Sequence, residues 1–136
     1  MRHRILSILF LILFGFALHA QDRPNPDPTI RKEKVEYVSS SMSLTAAQMQ
    51  KFSPLYNKYS DELFYQRKAI KALEKNPDSQ YSVEERQKIE QKMVEIKGRY
   101  KNEFLKIISS QQLAAMYKAE GEFKQKMIER FKKEKR

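Results

Sequence analysis

From Ile30 to Arg136 the chain holds only two glycines, Gly98 and Gly121, and two prolines, Pro54 and Pro77. Gly and Pro are the residues that most often end helices and strands, so a stretch this poor in both supports few, long elements. Lys, Glu, Gln, Ala, Leu and Met dominate the same stretch, and these are the straight-chain helix formers. A many-stranded sheet would need a turn signal every ten residues or so, and those signals are missing. The expected fold class is therefore all-α.

Apolar spacing divides the stretch into four helices. Met49, Phe52, Tyr56, Tyr59, Leu63, Ile70 and Leu73 recur at steps of three, four and seven, with Gln66 as the one gap. That is a single apolar seam on a helix expected over about Ala46 to Lys75. Ile89, Met93, Ile96, Tyr100, Phe104 and Ile107 form a second seam. Leu113, Met116, Phe123, Met127 and Phe131 form a third, and a shorter helix over Arg31 to Ser41 presents Val35, Val38 and Met42. Asn76 to Gln80 reads as a turn. Pro54 falls inside the longest helix, where it removes one backbone donor at a cost of ~3 kcal/mol unless the helix bends. Because the seam keeps its phase through Tyr56, a continuous helix bent near Pro54 is expected.

Residues 1–20 read as an export signal. Arg2 and Arg4 precede an apolar run from Ile5 to Leu18, and Ala20 is followed by Gln21-Asp22-Arg23. The run is shorter than the roughly 17–25 residues of a spanning helix, so cleavage and a periplasmic mature chain are expected, with no stable membrane insertion. Pro24, Pro26 and Pro28 make residues 21–29 a flexible leader. Residues 30–136 then form one helical domain.

Composition narrows the chemistry. Both histidines, His3 and His19, lie in the first 20 residues, and the chain has no Cys and no Trp. Downstream of residue 20 no Ser–His or Cys–His nucleophile can be assembled, and no imidazole or thiolate metal site. Adjacent acids such as Asp61 with Glu62, or Glu84 with Glu85, do not share a helix face and make no acid–base couple. The expectation is a binding protein that needs no cofactor, not an enzyme. Setting Arg2 and Arg4 aside from the 27 Lys and Arg leaves 25 bases against 17 acids. No nucleic-acid motif accompanies this charge, so nucleic acid is not an expected partner.

Three helix starts carry capping boxes. Thr45 can accept from the backbone N–H of Gln48 while the Gln48 side chain reaches back to Thr45, and Leu44 with Met49 has staple spacing. Ile108, Ser109, Gln112 and Leu113 repeat the arrangement 64 residues later. Ser82-Val83-Glu84-Glu85 is a third box without a staple. The stapled pair in a basic, exported helical chain resembles the Spy/CpxP family of periplasmic proteins, which is marked by two Leu-Thr-x-x-Gln motifs. The first motif is complete at Leu44, Thr45 and Gln48; the second has conservative changes at Ile108 and Ser109 and keeps Gln112. The segment Lys51-Phe52-Ser53-Pro54-Leu55-Tyr56-Asn57-Lys58-Tyr59 is similar to a variant of the group, and the resemblance covers roughly residues 30–131.

The resemblance implies a thin, elongated, cradle-shaped four-helix molecule with long antiparallel helices, forming a homodimer. It implies ATP-independent binding of unfolded or partly folded proteins, and for some members restraint of a membrane stress sensor. The motif residues are expected to set helix geometry. Client binding is expected from cations and adaptable apolar residues: Arg67, Lys68, Lys71, Lys75, Lys92 and Arg99 for encounter, with Leu55, Phe64, Tyr65, Met93 and Met116 for contact. Pairs such as Glu95–Arg99 and Glu120–Lys124 have the favourable i,i+4 order and support the helices. The competing expectation is a structural or adaptor coiled coil with one defined partner, of which a trimeric Skp-like holdase is a neighbouring version.

Overall fold

The computed structural model describes residues 26–136, so the signal and most of the leader lie outside the described residues. Four helices follow in order: α1 (Pro28–Ser40), α2 (Ala46–Leu73), α3 (Gln80–Phe104) and α4 (Ser110–Glu134). The fold is all-α, and no strand occurs among the described residues. None of these helices is long and apolar enough to cross a membrane.

Each helix starts on a cap. Asp27 accepts from the N–H groups of Thr29 and Ile30, and Pro28 takes the first helical turn, where its missing donor costs nothing. α1 thus begins inside the stretch read from sequence as leader. Thr45 and Ser109 build complete capping boxes at α2 and α4. The third expected box does not form. Ser79, not Ser82, caps α3, and Ser82 lies within the helix as a buried residue whose N–H and hydroxyl both meet the Ser79 side chain. Ser79 takes the cap because the chain reaches helical geometry three residues sooner than expected. α2 runs unbroken through Pro54, as the seam required.

One hydrophobic cluster draws on all four helices: Val38 from α1, Phe52, Tyr56, Tyr59 and Leu63 from α2, Ile96, Tyr100 and Phe104 from α3, and Met116 and Ala119 from α4. Phe52, Tyr56, Tyr59 and Phe104 are essentially inaccessible and touch at ring-centroid distances between 5.2 and 6.4 Å. Burying side chains of this size stabilises the fold by about 1.5–3 kcal/mol each. Along α2 and α3 the partners run in opposite order: Phe52 meets Phe104, and Glu62 meets Arg99 and Tyr100, as in a helical hairpin. α1 packs on α2 through Arg31–Asp61 and on α4 through Tyr37–Phe123 and Glu33–Arg130.

The core is concentrated at one end of the hairpin. From Phe64 to Glu95 the only buried residue is Ser82, while Ile70, Leu73, Ile89 and Met93 are half-buried. Among the described residues, the seams of α2 and α3 beyond Leu63 are covered chiefly by each other. Phe131, expected in the third seam, is 45% exposed because α4 there extends past the residues that cover Phe123 and Met127.

Candidate functional site

The two glutamines of the repeated helix starts meet. The Nε2 of Gln48 donates to Oε1 of Gln112 at 2.9 Å, and the Nε2 of Gln112 donates to Oε1 of Gln48 at 3.0 Å. Each Oε1 also accepts the backbone N–H of its own cap residue, Thr45 at 3.0 Å and Ser109 at 2.9 Å. Each Nε2 also donates to a carbonyl two residues ahead of the opposite cap: Ile107 at 3.3 Å and Ser43 at 3.5 Å. Ser43 takes a left-handed φ of 51° at this turn. Both amides thereby use two donors and two acceptor positions, the full capacity of the group. The arrangement is a pseudo-two-fold lock joining the starts of α2 and α4. Leu44 packs partly against the core and Ile108 is buried, so all six motif residues serve helix geometry.

A second polar knot lies deeper, where α1, α2 and α4 converge. The Glu120 carboxylate accepts from the Tyr56 hydroxyl at 2.9 Å and the Tyr59 hydroxyl at 3.4 Å, with Lys34 Nζ at 3.9 Å. Lys34 also donates to Ser60 Oγ at 3.1 Å and lies 5.7 Å from the Tyr56 ring centre. Burial holds the Lys34 ammonium below the ordinary lysine range, with Glu120 opposing that shift. Burial, reinforced by Glu120, pushes both the Tyr56 and Tyr59 phenols well above theirs. These side chains bind one another and tie α1, α2 and α4 together.

The expected client-binding residues fall into three sets. Phe64, Lys68, Lys71 and Lys75 stand at i, i+4, i+7 and i+11, so they share one face of α2, with Arg67 beside them. Arg67 and the three lysines are exposed; Lys68 sits over the Phe64 ring at 5.5 Å, and half-buried Tyr65 meets that ring edge-on at 5.8 Å. Lys92 and Arg99 belong to α3. Arg99 is not free: its guanidinium pairs with Glu62 and lies over the Tyr100 ring, so the expected Glu95–Arg99 pair gives way to one between helices. The Tyr100 phenol also donates to Glu62, and burial together with that bond pushes it up to about 12.

Leu55 and Met93 are half-buried and pack against the core. Met116 is completely buried and is a core residue, which corrects its assignment to a contact surface. It lies on the same α4 face as Leu113, Ala119 and Phe123, the face against which α1 packs through Tyr37 on Phe123. Glu120 turns to Tyr56 and Tyr59 instead of Lys124.

The open part of the hairpin adds residues that seam reading passed over. Val94 is 70% exposed, Tyr81 69% and Val83 60%. A groove of about 260 Å³ near the turn is lined by Leu73, Pro77, Val83 and Arg86, among others. The signal for these was their place off the heptad positions of α3, where an apolar side chain has no core to enter. The hairpin beyond Leu63 thus combines a half-covered apolar seam, loose exposed aliphatics and a row of cations on α2. No group of acids among the described residues is disposed to hold a metal ion.

No protein-family model, curated protein or solved structure matches the chain.

Proposed function

We propose that this protein is an exported, ATP-independent holdase of the Spy/CpxP kind, which binds unfolded or partly folded proteins along the open part of the α2–α3 hairpin. The observation that carries the reading is the mismatch between seam and core. Ile70, Leu73, Ile89 and Met93 continue the apolar seams, yet they remain only half-covered, beside exposed Lys68, Lys71 and Lys75. A surface of that kind suits weak and broad capture: cations accelerate encounter with acidic chains, and adaptable apolar groups hold what arrives. The two matching helix starts and their Gln48–Gln112 lock support the kinship with the two-motif family.

In this reading the mature chain works in the periplasm as a homodimer, and a membrane stress sensor is a second partner. The test is aggregation of a chemically denatured client, followed by light scattering with and without the mature chain. Suppression at near-stoichiometric amounts is expected. Replacing Lys68, Lys71 and Lys75 by Gln should slow capture, and Ile89→Ser with Met93→Ser should weaken retention. A mature chain that is folded by circular dichroism and leaves scattering unchanged refutes the proposal. Sedimentation should give a dimer, and a trimer would favour the Skp-like architecture.

A further inference from the structure

The solvent-facing stripe of α4 has a different composition and a different geometry from the hairpin. Tyr117, Gly121, Lys124, Ile128, Phe131 and Lys135 follow at i, i+4, i+7, i+11, i+14 and i+18, one face of the helix, and all are exposed. The buried residues of α4, from Leu113 to Met127, lie beside this stripe, and Phe131 stands on the border between the two, one turn past Met127. Ile128 is 37% exposed, Phe131 45% and Tyr117 38%. From Lys118 to Arg136 the chain carries eight bases and four acids. Lys118 and Arg130 are spent in ion pairs, with Glu122, and with Glu33 and Glu134. Lys124, Lys132, Lys133 and Lys135 form no ion pair among the described residues.

We propose that this stripe docks α4 on an anionic membrane surface, with the helix lying in the interface and Ile128 and Phe131 facing the acyl boundary. Lys124 and Lys135 lie at either end of the apolar pair, and their aliphatic stems let the ammonium groups reach phosphates while the apolar side chains go deeper. The exposed apolar side chains are few and strung along one helix. A stable protein interface needs about 800 Å² on each partner, whereas interfacial adsorption adds a small apolar area to the attraction of several cations. The stripe therefore favours a lipid surface over a protein. The inference does not rest on client capture, which uses the hairpin.

The chain has no Trp, so Phe131→Trp places a single tryptophan in the stripe, whose emission is read apart from that of the tyrosines. Vesicles of phosphatidylcholine mixed with phosphatidylglycerol should shift its emission to the blue and carry the protein down on sedimentation. Phosphatidylcholine alone should do neither, and salt on the order of 1 M, where the screening length is about 3 Å, should reverse both effects. The triple change Lys124→Gln, Lys132→Gln, Lys135→Gln should lower partitioning on the order of a hundredfold, from about fivefold for each cation near the surface. A Tyr81→Trp control on α3 should keep its emission. Failure to bind, binding without a blue shift at position 131, an equal shift on zwitterionic vesicles, or a shift produced by denatured client but not by vesicles would each overturn the proposal. Vesicle binding can fail while aggregation suppression survives, and the reverse, so the two proposals stand or fall separately.

Discussion

Gln48→Glu is the most discriminating single change in the molecule. In an ordinary capping box Glu and Gln serve equally, since either can accept the N–H of the cap residue. The negative charge would even be favourable near a helix N-terminus. Here the Nε2 of Gln48 also donates to Gln112 Oε1 and to the Ile107 carbonyl, at 2.9 and 3.3 Å. A carboxylate keeps the cap but loses both donations, and sets its oxygens against two acceptors. With about 0.5–1.5 kcal/mol for each neutral hydrogen bond, the expected loss is about 1–3 kcal/mol. Urea unfolding followed by helical circular dichroism measures it. The cycle of Gln48→Ala, Gln112→Ala and the double variant should show a coupling of about 1–2 kcal/mol, because the two residues share two hydrogen bonds. Thr45→Ala and Ser109→Ala, which share none, should cost about 1 kcal/mol each and add. If Gln48→Glu is neutral and the glutamines add within about 0.3–0.5 kcal/mol, the two helix starts are independent caps and the lock contributes nothing.

Alkaline pH should destabilise the fold. The Tyr56 and Tyr59 phenols keep their protons in the folded chain at a pH where an unfolded tyrosine, with an ordinary value near 10, has lost its own. The unfolded state then binds fewer protons, so stability falls as pH rises above about 10, by about 1.4 kcal/mol per unit for each phenol. Lys34, whose folded value is lowered, has the opposite sign, but it is one group and its gain ends near the ordinary lysine value of 10.5. A series of thermal melts from neutral pH to pH ~11.5 should therefore fall overall, and a flat profile would contradict the burial of both hydroxyls. Met116→Ala should cost about 2–5 kcal/mol, as truncation of a fully buried side chain does, and guanidinium unfolding will show whether it instead behaves as a surface change. Pro54→Ala restores a backbone donor within α2 and should raise the melting temperature; a fall would mean that the fold depends on the proline.

Spacing revealed the helices because an apolar residue every three or four positions has one economical use, a face turned to a core. The four helices, the turn after Leu73 and the caps at Thr45 and Ser109 all followed from local chemistry. What failed was whatever depended on where a face ends. Phe131 continues the rhythm of Met127 but is left exposed among the described residues, and Met116, judged by its flexible side chain, is instead the centre of a buried face. The Ser82 box satisfied the local rule, yet Ser79 satisfied it three residues earlier. Arg99 had a suitable acid four residues back, but Glu62 of the neighbouring helix took it. The Gln48–Gln112 contact was hidden for the same reason: two identical local signals carry no information that they face each other.

Where each apolar face ends also bears on function. The proposed client-binding role requires apolar groups within reach of water on a chain that stays folded. Here the aromatic cluster around Phe52, Tyr56, Tyr59 and Phe104 secures one end of the hairpin, and the glutamine lock ties the starts of α2 and α4 beside it. Farther along, past the start of α1 beside Phe64 and Arg67, α2 and α3 are covered among the described residues chiefly by each other. Local opening is least costly where few apolar contacts hold a segment, so the segment between Phe64 and Glu95 can fray or adjust while the anchored end stays folded. Native-state hydrogen exchange tests this directly. Amides of the α2–α3 segment beyond Leu63 should exchange well before those around Tyr56 and Phe104, and Gln48→Glu should accelerate the anchored end more than the open one. Uniform protection along the hairpin would mean that its apolar seam is held as firmly as the core, and would remove the physical basis for an adaptable surface there.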